Sequence, residues 1–202
     1  MLSPDDVKGF LAPEEGEALA ALTAQAGALG PILEIGTYCG KSALYLGPAA
    51  RQAGTILYTL DHHRGSEEHQ RGEAYHDPEL YDAEIDRMDS LPTLRRNLFR
   101  AGLEDCVIPL VGTSAQIAPH WSTELGLVFI DGGHSMAAAL ADYRGWASRV
   151  AMGGYLCIHD VFPDPADGGR PPYEIWCMAR DSGLFEPVNR IGTLEVLQRC
   201  VR

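Results

Sequence analysis

The chain is poor in lysine: among 202 residues only Lys8 and Lys41 are lysines. It has no run of basic residues, and its formal net charge is −12. A nucleic-acid partner needs a basic face to displace counterions from the phosphate backbone, so no nucleic-acid partner is expected. Long apolar runs are also missing, and the opening Met1-Leu2-Ser3-Pro4-Asp5-Asp6 is acidic rather than basic. Neither a signal peptide nor a membrane-spanning helix is therefore expected. The cysteines Cys39, Cys106, Cys157, Cys177 and Cys200 are scattered, with no C-x-x-C pair and no zinc-type spacing. They read as reduced thiols, which makes the cytoplasm the expected compartment. Hydrophobic content of 46% and charged content of 22% fit a soluble globular protein, and residues 1–202 are the length of one domain.

What is present is an alternation of strands and helices. Residues 14–29 carry an apolar stripe that predicts a helix. Ile32-Leu33-Glu34-Ile35-Gly36 predicts a short buried strand, followed by a helix from Lys41 to Gln52 and a second strand from Thr55 to Asp61. Residues 62–78 are polar and hold His62, His63, His69 and His76 without a clear period. A long irregular stretch inside a compact domain is usually a lid or a mobile loop. A helical stretch from Glu79 to Ala101, interrupted near Pro92, leads to strands at Val107–Val111 and Leu125–Asp131. Met136, Leu140, Tyr143, Ala147 and Val150 share a helical face, and Gly153-Gly154 ends that helix. A strand from Tyr155 to Asp160, a helix over 173–182 and strands over 184–191 and 193–199 complete the chain. Gly192 between the last two predicts a tight hairpin. The pattern predicts an α/β fold, a doubly wound, Rossmann-like and mainly parallel sheet of seven strands with a C-terminal antiparallel hairpin.

Gly36-Thr37-Tyr38-Cys39-Gly40-Lys41-Ser42 follows the first strand and opens a helix. It is not a dinucleotide motif, because Tyr38 stands where the second glycine is needed. A phosphate-binding loop is also excluded, since its ring of amides would be one residue short. Glycines at a strand-to-helix turn can serve the backbone alone. Asp61, at the end of the second strand, is placed to accept the two hydroxyls of a ribose, which implies a nucleoside cofactor without choosing one. Capping the strand end would explain it as well. Gly112-Thr113-Ser114 follows the third strand, and Ser114 either caps the next helix or meets a ligand. Asp131, His134, His159 and Asp160 then gather at the carboxyl ends of two adjacent strands, the ligand-binding edge of open α/β sheets. Lone buried charges are costly, so a cluster of this kind points to a site, although simple surface placement would also accommodate it.

The motif Glu34-x-Gly36-x-x-x-Gly40 resembles the first motif of class I methyltransferases that use S-adenosylmethionine (SAM). Phe129-Ile130-Asp131-Gly132-Gly133-His134 and Ile158-His159-Asp160 are similar to segments of bacterial O-methyltransferases of the cephalosporin-pathway and macrolide-sugar type, and of actinobacterial sugar O-methyltransferases. The resemblance covers nearly the whole chain. It implies that Gly36 and Gly40 let the backbone pass beneath SAM, with Glu34 near its amino-acid end. Thr37, Tyr38, Ser42, Asp61, His62 and Asp131 are then expected around the cofactor, and Ser114 beside the adenine. It also implies a divalent cation held by Asp131 and Asp160, with His159 where relatives often carry an acid. Mg²⁺ is the cation expected first and Mn²⁺ second, although imidazole suits softer ions better than Mg²⁺.

Methyl transfer from a sulfonium is an in-line displacement, so the protein aligns the acceptor oxygen and assists loss of its proton. Asp131 and His134 are the two candidates for the base. The expected acceptor is a hydroxyl of a small molecule, a saccharide first, and self-association into a homo-oligomer stays open. Two rivals remain: a nucleotide-dependent oxidoreductase, and a SAM-binding protein without catalysis. The histidine-rich 62–78 stretch is expected to be a lid over the acceptor or a plain solvated loop.

Overall fold

A computed structural model describes residues 2–66, 69, 76–133, 135–164 and 166–200. Helix α1 (Pro13–Ala26) opens with proline, whose missing N–H costs nothing in a first turn. Strand β1 (Ile32–Ile35) follows, then helix α2 (Ala43–Gln52) and strand β2 (Leu57–Asp61). A two-stranded ribbon, β3 (Tyr81–Asp82) with β4 (Arg87–Met88), precedes helix α3 (Leu91–Ala101). Next come β5 (Val107–Val111), the short α4 (Ser114–Ile117), β6 (Leu125–Ile130) and α5 (Met136–Trp146). Strand β7 (Val150–Ile158), α6 (Arg170–Asp181), β8 (Phe185–Ile191) and β9 (Leu194–Arg199) complete the fold.

The main sheet has seven strands in the order β5-β2-β1-β6-β7-β9-β8. The first five run parallel, and β9 is antiparallel to both of its neighbours. The expected doubly wound sheet with a terminal hairpin is therefore present. Side chains alternate between its two faces, as strand geometry requires. Ile32, Leu57, Leu127, Phe129 and Cys157 pack with Leu19, Leu46 and Leu94 on one face. Leu33, Leu60, Val128, Ile130 and Ile158 pack with Tyr143, Trp146 and Ile175 on the other.

Several boundaries differ from the sequence expectation: the first helix ends at Ala26 rather than 29, the second starts at Ala43 rather than Lys41, and the second strand starts at Leu57 rather than Thr55. After a single 3-10 turn at Pro78–Leu80, residues 81–90 hold the short ribbon rather than a helix, and Pro92 lies in the first turn of α3 instead of interrupting a helix. Val150 begins β7 rather than ending α5, and Gly153-Gly154 lie inside that strand. Pairing shifts there from Leu125↔Val150 to Leu127↔Tyr155, so the glycines accommodate a bulge, with Gly153 at φ +80°. Helix α6 starts at Arg170, ahead of the expected 173, because Pro171-Pro172 fit its first turn.

Candidate active site

The chain runs from β1 outward to β2 and β5, then returns to place β6 and β7 on the other side of β1. The crevice at this reversal is where open α/β sheets bind ligands. Here it is a cleft of about 750 Å³, lined by the turns after β1, β2, β5, β6 and β7 and by residues 8–11 of the N-terminal segment. That volume lies in the range of small-molecule sites.

The turn after β1 is held by Asp61. Its Oδ2 accepts the amide N–H groups of Thr37 (3.0 Å) and Tyr38 (2.9 Å), and its Oδ1 accepts that of His63 (2.7 Å). Successive amides converging on one anion form a backbone nest. Because Asp61 already occupies it, the turn has no free cradle for a phosphate, in line with its imperfect match to a phosphate-binding loop. Tyr38 and His63 have positive φ (51° and 60°), and so does Asp160 (56°). Strained non-glycine residues of this kind persist where surrounding contacts over-determine them, often around active sites.

The glycines of the turn are also demanded by contacts within the protein. A Cβ on Gly36 would stand 2.0 Å from the carbonyl oxygen of Asp131, and one on Gly40 would stand 2.6 Å from Leu94 Cδ1. Gly36 lines the cleft, but it must be glycine because the turns after β1 and β6 touch there. Gly40 does not line the cleft; its bare Cα makes room for α3. Thr37, Tyr38, Ser42, Asp61, His62 and Asp131 do line it.

Glu34 shares the face of Ile32 and is completely buried, and among the described residues its carboxyl oxygens meet no hydrogen-bond partner. Burial pushes its pKa up to about 8, against the nearby Ser42 and Thr37 hydroxyls, which favour the ionised form. Glu34, expected near the cofactor's amino-acid end directly or through water, does not itself line the cleft, whereas its neighbours Thr37 and Ser42 do. The Thr37 hydroxyl is itself buried and without a partner among the described residues. Ser114 lines the cleft, yet its Oγ accepts the Trp146 indole N–H at 2.9 Å, and the adjacent N-cap is Thr113. Asp142 on α5, which the sequence reading missed, also faces the cleft. Burial raises its pKa to about 6, partly offset by the Ser114 hydroxyl.

The turns after β6 and β7 carry the acids. Extending the register Phe129↔Cys157 and Ile130↔Ile158 by one step sets Asp131 beside His159. The pair is in contact, His159 Nδ1 lying 2.9 Å from Asp131 Oδ1 and 3.5 Å from Asp160 Oδ2. Asp131, His159 and Asp160 can each direct a ligand atom to one place, with these atoms all within 4.8 Å of one another. The other ring nitrogen, Nε2, lies 2.8 Å from Oε2 of Glu15, a buried acid on α1. Burial alone would lower the pKa of His159, but Asp131, Asp160 and Glu15 together push it up to about 12. Burial would likewise raise Glu15, whereas His159 and the amides of Thr193 and Ala12 hold it near 2. Two carboxylates and one imidazole nitrogen form a donor set that fits a divalent cation.

The structure thus brings together Asp131, His159 and Asp160, as expected. His134 lies outside the described residues, as does much of the anticipated lid (67, 68 and 70–75). The described part of that stretch is not simply solvated. His63 is buried with Nδ1 2.8 Å from Ser90 Oγ, while His62, Gly65, Ser66 and His69 line the cleft. Lys8 and Lys41, the chain's two lysines, line it too. Lys8 is paired with Asp77 and Glu79, each at 2.6 Å.

Residues 33–161 match a family model described as a methyltransferase domain. Among solved structures, the O-methyltransferase NovP superposes with a TM-score of 0.71 at 17% identity, over 93% of this chain and 80% of its own. Cofactor-bound Rv0187 from MTB gives 0.67 at 20% identity, over 94% and 81%. TomG from Streptomyces achromogenes, an O-methyltransferase involved in tomaymycin synthesis and solved with SAM, gives 0.63 at 15% identity, over 95% and 82%. Among the described residues, no helix is long and apolar enough to cross a membrane.

Proposed function

This chain belongs to the methyltransferase-domain family, and on that premise we propose that it transfers a methyl group from SAM to a hydroxyl of a small molecule, a saccharide first, with a divalent cation assisting. One observation carries this reading. A single cleft is lined by Asp61, by the turn after β1 and by Asp131 and Asp160, whose ligand atoms lie within 4.8 Å of each other and of one from the buried His159. The O-methyltransferases NovP and TomG share the fold, and TomG was solved with SAM, which supports both the cofactor and the oxygen acceptor.

In this reading Asp61, whose oxygens keep lone pairs beyond those the loop amides use, would accept the ribose hydroxyls. Gly112, Thr113, Ser114 and Asp142, which line the cleft, would hold the adenine. Asp131, Asp160 and Nδ1 of His159, once it has lost its proton, would hold the cation, which as a Lewis acid supplies a lowered pKa for the acceptor hydroxyl. Asp131 or His134 takes the released proton. Holding acceptor and methyl donor in one crevice supplies the alignment that the displacement requires.

The test combines binding with turnover. S-Adenosylhomocysteine (SAH) should bind and NAD should not. A panel of saccharides and phenols incubated with labelled SAM should yield a methylated saccharide. Chelator should stop turnover with SAH still bound, and Mg²⁺ or Mn²⁺ should restore it. Preference for NAD would reveal an oxidoreductase. SAH binding without turnover on any acceptor would favour a non-catalytic SAM-binding protein, and full turnover after exhaustive chelation would remove the cation.

A further inference from the structure

We propose that Glu15 is a positioning residue that fixes the His159 ring, so that Nδ1 is the nitrogen offered to the cation-binding face formed with Asp131 and Asp160. The inference rests on the cation-assisted reading above and assigns a role to a residue outside the segment 33–161 that carries the family match.

Glu15 lies at the third position of α1, where an acid commonly reaches back to the amide that precedes the helix. Its Oε2 does so, accepting the Ala12 N–H at 3.1 Å. Any solvent-exposed glutamate could do this, yet Glu15 is 4% exposed. What keeps it buried is a second set of partners from the far end of the chain. The Thr193 amide and hydroxyl both donate to Oε1, at 2.9 and 3.0 Å. The hairpin turn approaches so closely that a Cβ on Gly192, itself at φ +57°, would stand 2.7 Å from that oxygen. The same turn accepts the Val161 amide N–H at the Thr193 carbonyl (3.0 Å), so it also anchors the backbone next to Asp160.

The carboxylate is therefore immobilised from two sides before it meets His159, and its remaining contact is Nε2 of that ring at 2.8 Å. An imidazole that donates one N–H to a fixed carboxylate has its tautomer and ring orientation set. A partner of this kind typically governs the metal affinity of the opposite nitrogen. Three backbone and hydroxyl donors would satisfy Glu15 without His159, so a role in packing alone would leave cation affinity unchanged. A positioning role would not.

The experiment uses the metal-stripped full chain, titrated with Mn²⁺ by electron paramagnetic resonance, for wild type and for Glu15→Gln. The expected result is a loss of Mn²⁺ affinity of roughly ten- to a hundredfold, with SAH affinity and circular dichroism unchanged. Wild-type Mn²⁺ affinity in folded Glu15→Gln would overturn the proposal. Should Glu15→Gln not fold, ¹⁵N spectra of the wild-type His159 ring with Zn²⁺ decide: a proton on Nε2 and a metal-shifted Nδ1 are expected. A metal-shifted Nε2, or a ring unmoved by saturating Zn²⁺, would refute it. A wild type that binds neither ion would bring down the cation-assisted reading and this inference together, while SAH binding and methyl transfer would still stand or fall by their own test.

Discussion

The carboxylate of Asp61 accepts the amide N–H of Tyr38 at 2.9 Å, across the gap between the turns that follow β2 and β1. Tyr38 holds a left-handed backbone at φ 51°, and the Thr37 amide joins it on the same oxygen. The residue expected to bind the ribose therefore also stabilises the loop after β1. Asp61→Ala should cost twice. SAH affinity should fall by about 1–3 kcal/mol for the lost charge-assisted bonds, and unfolding stability by a similar amount because three amides lose their acceptor. Calorimetry and urea unfolding separate the two. Unchanged affinity in the folded variant would remove Asp61 from the cofactor site.

Gly36 gives a second prediction. Its missing side chain is required by the carbonyl of Asp131, 2.0 Å from where a Cβ would lie, and this neighbour is backbone that cannot rotate away. Gly36→Ala should push apart the turns after β1 and β6, displacing Asp131 and lowering both SAH and Mn²⁺ affinity. Gly54→Ala is the control: it has positive φ (+71°) but nothing within 4 Å, so only backbone strain of about 1–2 kcal/mol applies. If the two variants unfold at the same urea concentration, the contact is not what demands glycine at 36.

The difference between Gly36 and Glu15 shows how far the sequence could be read. Strand-ending residues such as Gly36, Asp61, Asp131 and Asp160 were legible because a parallel sheet sends all its carboxyl ends to one edge. Their reasons were less so, since the contact of Gly36 with Asp131 joins residues 95 positions apart. Glu15 could be read locally as an acid in the first turn of a helix, but its bond to His159 spans 144 residues and depends on the hairpin turn at Thr193. The end of α5 was misplaced because Val150, the buried start of a strand, happens to continue the helical spacing. Periodicity cannot distinguish those two cases.

Glu34 predicts a pH dependence. Its folded pKa of about 8 lies above the ordinary value of 4.5, so the folded state binds the proton more tightly. Stability from this group is complete below pH 4.5 and declines as pH rises toward 8, by roughly 4 kcal/mol at most. Glu34→Gln mimics the protonated form and should lack this slope. Urea midpoints of both proteins at about pH 5 and pH 8.5 check this, since the difference between them cancels groups such as Asp142 that titrate in both. Identical slopes would mean that Glu34 stays ionised in the folded protein.

The last prediction assigns the proton acceptor. Asp160 holds a left-handed backbone at φ 56°, a conformation that asparagine tolerates better than alanine, so Asp160→Asn removes the charge with the least strain. It should lose Mn²⁺ binding and turnover while SAH affinity persists, because Asp160 follows β7 whereas Asp61 ends β2, with β1 and β6 between them. His134→Ala should behave differently if His134 is the base: Mn²⁺ and SAH still bind, and turnover falls by about 10²–10⁴-fold. If Asp131 is the base, His134→Ala keeps most of its turnover, and Asp131→Asn loses metal and turnover together. In the cation-assisted reading Asp131 is already engaged as a ligand, so its lone pairs are less available to a proton, which favours His134. Undiminished turnover in His134→Ala would reverse that assignment.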